Sequence, residues 1–353
     1  MKKDRPNKLD RVYFIPQRDL IVGAYGSEPN GSIRFWSIDD GKLKEVLDLG
    51  KGVWADSLAI SNNGNLMVVS LLGKNEIDCY SLTDRKWLWN ADRVGKGVVG
   101  NAMQFSIDDR KVVVVAARNI LTYNAQTGTI LEKQEDSKGF SNGFPNYRTR
   151  IHAISPSARY AAFWQGDLEH DEGWWSSRNI WVVVRDIETG KVIAKQGKIQ
   201  EKYKNCSAAF TRDEKNLVLG SMDGYVRIWS IAGQKVVGEW MAYWHENPST
   251  FEENPAPNEI DSMTFSLDGR YLATTGHLKE GFAVRIWDYT TNKLIHEFRD
   301  VISSSLPMCS GYPMAFSPDG KYFAFERQGN LCLYDTQTRQ EKWCVPSSAE
   351  GKD

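Results

Sequence analysis

The chain has 353 residues, 41% hydrophobic and 25% charged, a composition that supports a buried core and excludes broad disorder. Lys and Arg number 44 against 45 Asp and Glu, so the formal net charge of −1 supplies no field to steer the protein onto nucleic acid, which is not expected as a partner. No run of about 18 apolar residues occurs, so no membrane insertion is expected.

The opening Met1-Lys2-Lys3-Asp4-Arg5-Pro6 continues as polar chain rather than as the apolar segment of a signal peptide. The expected compartment is cytoplasmic, or periplasmic or extracellular if a leader precedes residue 1. Beyond it a self-similar unit sets the organisation of the chain. Each copy opens with an apolar alternation that ends in a polar turn. In chain order the turns are Ile15-Pro16-Gln17-Arg18-Asp19, Ile60-Ser61-Asn62-Asn63-Gly64, Phe105-Ser106-Ile107-Asp108-Asp109, Ile154-Ser155-Pro156-Ser157-Ala158, Phe210-Thr211-Arg212-Asp213-Glu214, Phe265-Ser266-Leu267-Asp268-Gly269 and Phe316-Ser317-Pro318-Asp319-Gly320.

After every turn comes a short run rich in Val, Leu, Ala and Phe, such as 111–117 or 270–276, that reads as a buried strand. A third strand follows, ending in six units in an aromatic and a small polar residue: Trp36-Ser37, Tyr80-Ser81, Tyr123-Asn124, Trp229-Ser230, Trp287-Asp288 and Tyr334-Asp335. The fourth unit departs with Arg185-Asp186. Turns such as Thr189-Gly190-Lys191 and Thr291-Asn292-Lys293 then lead into a fourth strand, because Gly and Asn tolerate positive φ. Repeated four-stranded antiparallel units cover their faces by packing radially around a channel. The expected fold is therefore all-β, a seven-bladed β-propeller of four-stranded antiparallel blades. It is read as one domain, 1–353, with blades near 9–50, 54–91, 99–135, 149–197, 204–240, 259–298 and 311–346.

Ser221-Met222-Asp223-Gly224-Tyr225-Val226-Arg227-Ile228-Trp229-Ser230 and Val284-Arg285-Ile286-Trp287-Asp288 resemble WD40 repeats, and the likeness runs from Leu9 to Val345. The Trp-Asp dipeptide itself occurs in one unit, and Gly276-His277 falls between second and third strands instead of before a first strand. What the resemblance implies is a binding scaffold. The last unit carries its own third and fourth strands, 330–335 and 340–345, a departure from the common WD40 arrangement in which the N-terminal strand completes the final blade; residues before Leu9 remain available to add to an edge. Gln340-Glu341-Lys342-Trp343 and Arg85-Lys86-Trp87-Leu88-Trp89 are also similar to outer strands of quinoprotein-like propellers, but two units alone show this pattern, and these Trp residues read as blade packing.

The first-to-second and third-to-fourth connections of such a blade share one end and are short. At the other end lie the long ones, 136–149, 166–178, 241–258 and 299–311, and lengthened loops on one face of a repeat scaffold mark a binding face. They concentrate aromatics and acids: Trp54 after the first unit, Tyr147 and Arg148 before the fourth, then Glu172, Trp174 and Trp175 within it, and Trp244, His245, Phe251 and Glu252 after the fifth. Trp, Tyr and Arg anchor protein interfaces because each joins a large area to a polar handle. These ten residues are the candidate partner-binding set, and the acids among them suit a basic protein.

Chemical motifs are sparse. Gly95-Lys96-Gly97-Val98-Val99-Gly100 has no βαβ context and reads as a link between blades. No nucleophile elbow, Walker loop or zinc-protease motif occurs, so no catalytic residue and no cofactor are expected. The enzymatic alternative is a metal-binding or metal-dependent hydrolytic propeller built on His170, His245 and His277, which map to the long-loop end. His152, on a first strand, reads as structural. Five cysteines, Cys79, Cys206, Cys309, Cys332 and Cys344, form no disulfide framework. Cys332 and Cys344 lie on two arms of the last hairpin, and one residue of register decides whether they can bond. The preferred reading is a non-enzymatic propeller that holds a protein partner on its long-loop face, in one version as an inhibitor or immunity-type protein.

Overall fold

The computed structural model describes residues 9–25, 30–92, 102–116, 119–135, 151–171, 174–196, 205–221, 223–244, 260–278, 281–299 and 312–347; at 30, 116, 119, 135, 151–152, 164–171, 174–181 and 205–206 it describes backbone alone. The fold is all-β, a seven-bladed β-propeller whose seven four-stranded sheets each keep the order of the chain. Blade 1 holds β1 to β4 (Leu9–Phe14, Leu20–Tyr25, Asn30–Ser37, Leu43–Lys51) and blade 2 holds β5 to β8 (Trp54–Ile60, Leu66–Leu72, Glu76–Ser81, Lys86–Asp92). Blade 3 holds β9 to β12 (Ala102–Phe105, Lys111–Ala116, Asn119–Asn124, Ile130–Glu135), and blade 4 holds β13 to β16 (Ile151–Ile154, Tyr160–Asp171, Trp174–Asp186, Val192–Lys195). Blade 5 holds β17 to β20 (Asn205–Phe210, Asn216–Ser221, Tyr225–Ser230, Lys235–Met241) and blade 6 β21 to β24 (Ile260–Phe265, Tyr271–Leu278, Gly281–Asp288, Lys293–Arg299). Blade 7 holds β25 to β28 (Met314–Phe316, Tyr322–Arg327, Asn330–Asp335, Gln340–Pro346), all from the end of the chain.

The repeated polar turn has a specific chemistry. In blades 2 to 7 its Ser or Thr hydroxyl accepts the backbone N–H five residues on and meets the side chain two residues on, as Ser266 does with Tyr271 N (2.8 Å) and Asp268 Oδ1 (2.5 Å). One residue in each of these turns, such as Asp109 or Glu214, is left-handed, which closes a tight hairpin at some conformational cost unless it is Gly, as at Gly269 and Gly320. Blade 1 builds a different turn, with Pro16 ahead of left-handed Gln17. In all seven blades one further backbone bond ties the first turn to the end of the third strand, as Tyr289 N to Arg270 O at 2.8 Å.

The third and fourth strands share a second repeated device. Each pair carries a β-bulge at the same place, between Phe35 and Trp36 in blade 1 and between Leu333 and Tyr334 in blade 7. The extra residue on the outer strand is Leu88, Leu131, Ile193 and Val237 in blades 2 to 5, which explains why these apolar side chains are exposed. Just beyond the bulge sits one cross-strand pair per blade: Arg34 with Val46, Asp78 with Asn90, Leu121 with Lys133, Val183 with Lys195, Arg227 with Glu239, Arg285 with Glu297 and Cys332 with Cys344. The two cysteines are joined as a disulfide.

The chain divides into two compact units, Met1–Arg93 with Thr264–Thr275 and Gly281–Asp353, and Val94–Met263 with Gly276–Glu280. In the first unit an apolar cluster of Ile33, Phe35, Leu49, Met67, Val69 and Tyr80 joins blades 1 and 2. Another of Ile286, Phe298, Phe323, Phe325, Cys332 and Tyr334 joins blades 6 and 7. Blade 7 also packs on blade 1, where Ala324, Leu331 and Leu333 meet Leu9, Ile21, Tyr25 and Trp36. No strand is exchanged at this junction among the described residues. In the second unit, Val182, Val184, Leu217, Leu219 and Trp229 join blades 4 and 5, and Val113, Val115, Ala161 and Phe163 join blades 3 and 4.

Candidate interaction face

At the long-connection end of blade 5 the chain leaves the outer strand β20 and passes the turn between β18 and β19. This passage is tightly fixed. The amides of Ala242 and Tyr243 both donate to Gly224 O, at 2.8 and 3.0 Å. The ring of fully buried Tyr243 lies on the backbone of Gly276 in β22, so closely that a Cβ at 276 would stand 2.8 Å from it. Glycine is required there by this approach. With its neighbour pinned, Trp244 is held outward and is 59% exposed, beside Met241 at 42%.

His277 follows Gly276 as a residue of β22, not in the connection where its sequence context suggested, because the strand continues to Leu278. Its Nε2 lies 3.2 Å from Asp261 Oδ2, and both side chains are largely buried. Trp54, expected in a link, opens β5 opposite Leu72 and is half-buried. Gly31 donates to Val53 O at 2.9 Å beside it, and a Cβ on Gly31 would stand 2.5 Å from the Trp54 Cα.

The stretch 166–178, expected as a long loop, is a correction. β14 and β15 continue as a paired ribbon past the short strands β13 and β16, from Gly166 opposite Ile180 to His170 opposite Trp175 and Asp171 opposite Trp174. A ladder already aligned in a hairpin propagates through backbone bonds, whether or not the side chains alternate in polarity. The bulge between Gly166 and Asp167 marks where the ribbon leaves the blade. Trp174 and Trp175 therefore occupy successive strand positions, while Glu172, Tyr147, Arg148, His245, Phe251 and Glu252 lie outside the described residues. So does the 95–100 glycine segment, and His170 and His152 are described in backbone alone.

Sequence reasoning missed the electrostatics inside the blades. In blade 5 Arg227 bonds Ser221 Oγ (2.6 Å), Asp223 (3.0 and 2.5 Å) and Glu239 Oε2 (3.1 Å). Burial alone would lower its pKa, but these carboxylates outweigh it and raise the value. In blade 2 the equivalent position carries the opposite charge: Asp78 is buried, one carboxylate oxygen has no hydrogen-bond partner, and Asn90 opposite supplies no cation. Desolvation, with help from Glu76 and against Lys74, pushes its pKa up to about 6. A sequence signal existed, since Val-Arg-Ile-Trp in blades 5 and 6 aligns with Ile-Asp-Cys-Tyr in blade 2.

Three potential metal ligands come together among the described residues at Cys332, Glu341 and Cys344, but two of them are bonded to each other. Among the described residues no helix is long and apolar enough to cross a membrane. Residues 202–230, which span β17, β18 and β19, match the family described as WD domain, G-beta repeat. Together with the seven four-stranded blades, that match supports a WD40-like β-propeller. Propellers of this kind typically work through protein–protein interaction.

Proposed function

We propose that this WD40-like β-propeller is a non-enzymatic binding protein that engages a protein partner through the long-connection end of its blades. The observation that carries the reading is Trp244, held 59% exposed by a neighbour anchored under it. A large aromatic fixed outward by buried chain forgoes burial in the free protein and is poised to gain it on binding. Trp54, Trp174, Trp175 and Tyr147 extend the aromatic set, with Arg148, His245 and Phe251. The carboxylates Glu172 and Glu252 favour a basic partner surface. One version is an inhibitor or immunity-type protein that covers an enzyme or toxin.

The test compares Trp244→Ala with wild type in affinity capture and in thermal melting. The reading expects a binding loss of about 2 kcal/mol or more with an unchanged Tm. An equal fall in Tm would make Trp244 a packing residue and remove the reading. The metal-dependent alternative needs His170, His245 and His277 free to share an ion. Of these only His277 has a described side chain, and Asp261 engages it.

A further inference from the structure

Like the outer strand of every other blade, β28 pairs with one neighbour in its own sheet, β27. It also makes the junction with the first blade. Trp343 Nε1 donates to Ile38 O at 2.8 Å, and its ring lies against Gly41. Val345 joins the apolar cluster of blade 1. Just past the strand, Ser347 O accepts from Arg34 Nη1 at 2.8 Å, and the Arg34 guanidinium stacks 4.5 Å over Tyr25. Arg34 has no carboxylate opposite it, since Val46 stands where blades 5 and 6 place Glu239 and Glu297, and it reaches Ser347 O instead. Ser347 is itself tied to Gly329 O through its amide (2.9 Å) and hydroxyl (2.6 Å).

Cys344 lies between Trp343 and Val345, on the opposite face of the strand, with blade 6 residues. Its bond to Cys332, which is fully buried in the core between blades 6 and 7, ties β28 covalently to the interior. We propose that the Cys332–Cys344 disulfide is a redox-controlled fastener that holds the last blade against the first. It stands where a propeller closed by strand exchange would place a strand from the other terminus.

The chemistry is thiol–disulfide exchange with a disulfide-bearing oxidant, RSSR. The Cys344 thiolate attacks one oxidant sulfur, forming a mixed disulfide and releasing RS⁻. The Cys332 thiolate then attacks Cys344 Sγ, the protein S–S bond forms, and the second RS⁻ leaves. The two cysteine protons end on the two leaving groups, so two thiols are oxidised and one RSSR is reduced to two RSH. Cys344 is suited to begin because it is only partly buried, whereas Cys332 is fully buried, and Arg327 Nη2 stands 3.3 Å from the Cys344 sulfur. Arg327 is in turn held by Glu341 at 2.6 Å. Cys79, fully buried with its pKa pushed up to about 12 by burial and by Asp78, is not suited to compete.

The test is hydrogen exchange by mass spectrometry on the full chain, purified without reductant and then treated with a phosphine. The peptide pair carrying 332 and 344 should be 2 Da lighter before reduction. On reduction, amides of β28 and of the facing part of blade 1, from Trp36 to Gly41, should exchange about tenfold faster or more. Reoxidation with glutathione disulfide should restore both. The Cys332→Ala, Cys344→Ala variant should show fast exchange that the phosphine does not change, and wild type alone carries the test if that variant does not fold. Free thiols at both positions before reduction, or faster exchange in β28 with blade 1 unchanged, would overturn the proposal.

Discussion

Cys332 faces Cys344 across the last hairpin at the register position where blade 5 sets Arg227 against Glu239 and blade 6 sets Arg285 against Glu297. One position, repeated in each blade just beyond a bulge, thus links the third and outer strands by an ion pair in two blades and by a covalent bond in a third. Its occupants decide how firmly each outer strand is held, and each can be tested separately.

At this position in blade 5, Arg227→Ala removes a guanidinium that bonds Ser221, Asp223 and Glu239 at once and leaves the largely buried Asp223 carboxylate without its cation. Breaking such a network should cost about 2 to 3 kcal/mol in urea unfolding. A loss below about 0.5 kcal/mol would show that the pairs act as exposed surface bridges.

In blade 2 the sign reverses. The Asp78 carboxyl has a folded pKa of about 6, above the ordinary value of 3.8. Between these values the folded state holds a proton that the unfolded state has released, so stability falls as pH rises from about 4 through about 6. Asp213, Asp288 and Glu297, with lowered values, lose their contribution only at more acid pH. Asp78→Asn should therefore gain about 1 to 3 kcal/mol at pH 7.5 and gain less at pH 5, read from urea melts at the two pH values. A variant equally or less stable at pH 7.5 would show that the charged form is accommodated.

The polar turns provide a third test. Ser266→Ala strips the buried Tyr271 amide of its acceptor and Asp268 of its donor, and should cost about 1 to 2 kcal/mol. Ile107→Ala, at the neighbouring position of another such turn and 72% exposed, should stay within about 0.5 kcal/mol. Equal effects in chemical denaturation would mean that the turns contribute by shape alone.

The turns are also the reason the fold was legible in the sequence. A Ser or Thr followed by Asp or Asn and a residue able to turn left-handed is a local chemical solution, and its recurrence exposes the blades without knowledge of tertiary contacts. The disulfide was not legible to the same degree. Counting from the turn, Asp335 meets Gln340 and Tyr334 meets Glu341, and unbroken pairing would then set Cys332 opposite Trp343. The bulge passes over Lys342 and delivers Cys344 instead, and a bulge of this kind leaves little trace in hydrophobic pattern. The β14–β15 ribbon was hidden for a related reason, since Asp167 to Trp175 pair through backbone without polar–apolar alternation. The exposure of Trp244 was readable only as an aromatic in a connection; its fixed presentation depends on Tyr243 meeting Gly276, 33 residues later by the numbering of the chain.

The central claim is that this end of the propeller holds a protein through Trp244. The most direct measurement is quantitative affinity capture from native lysate with wild type, Trp244→Ala and Met241→Ala side by side, with each protein's Tm recorded and each captured partner then purified and titrated. The account predicts a partner bound by wild type and weakened about thirtyfold or more by Trp244→Ala at unchanged Tm, the equivalent of about 2 kcal/mol. Partners bound equally by wild type and the Trp244 variant, or a Tm that falls with Trp244, would contradict it.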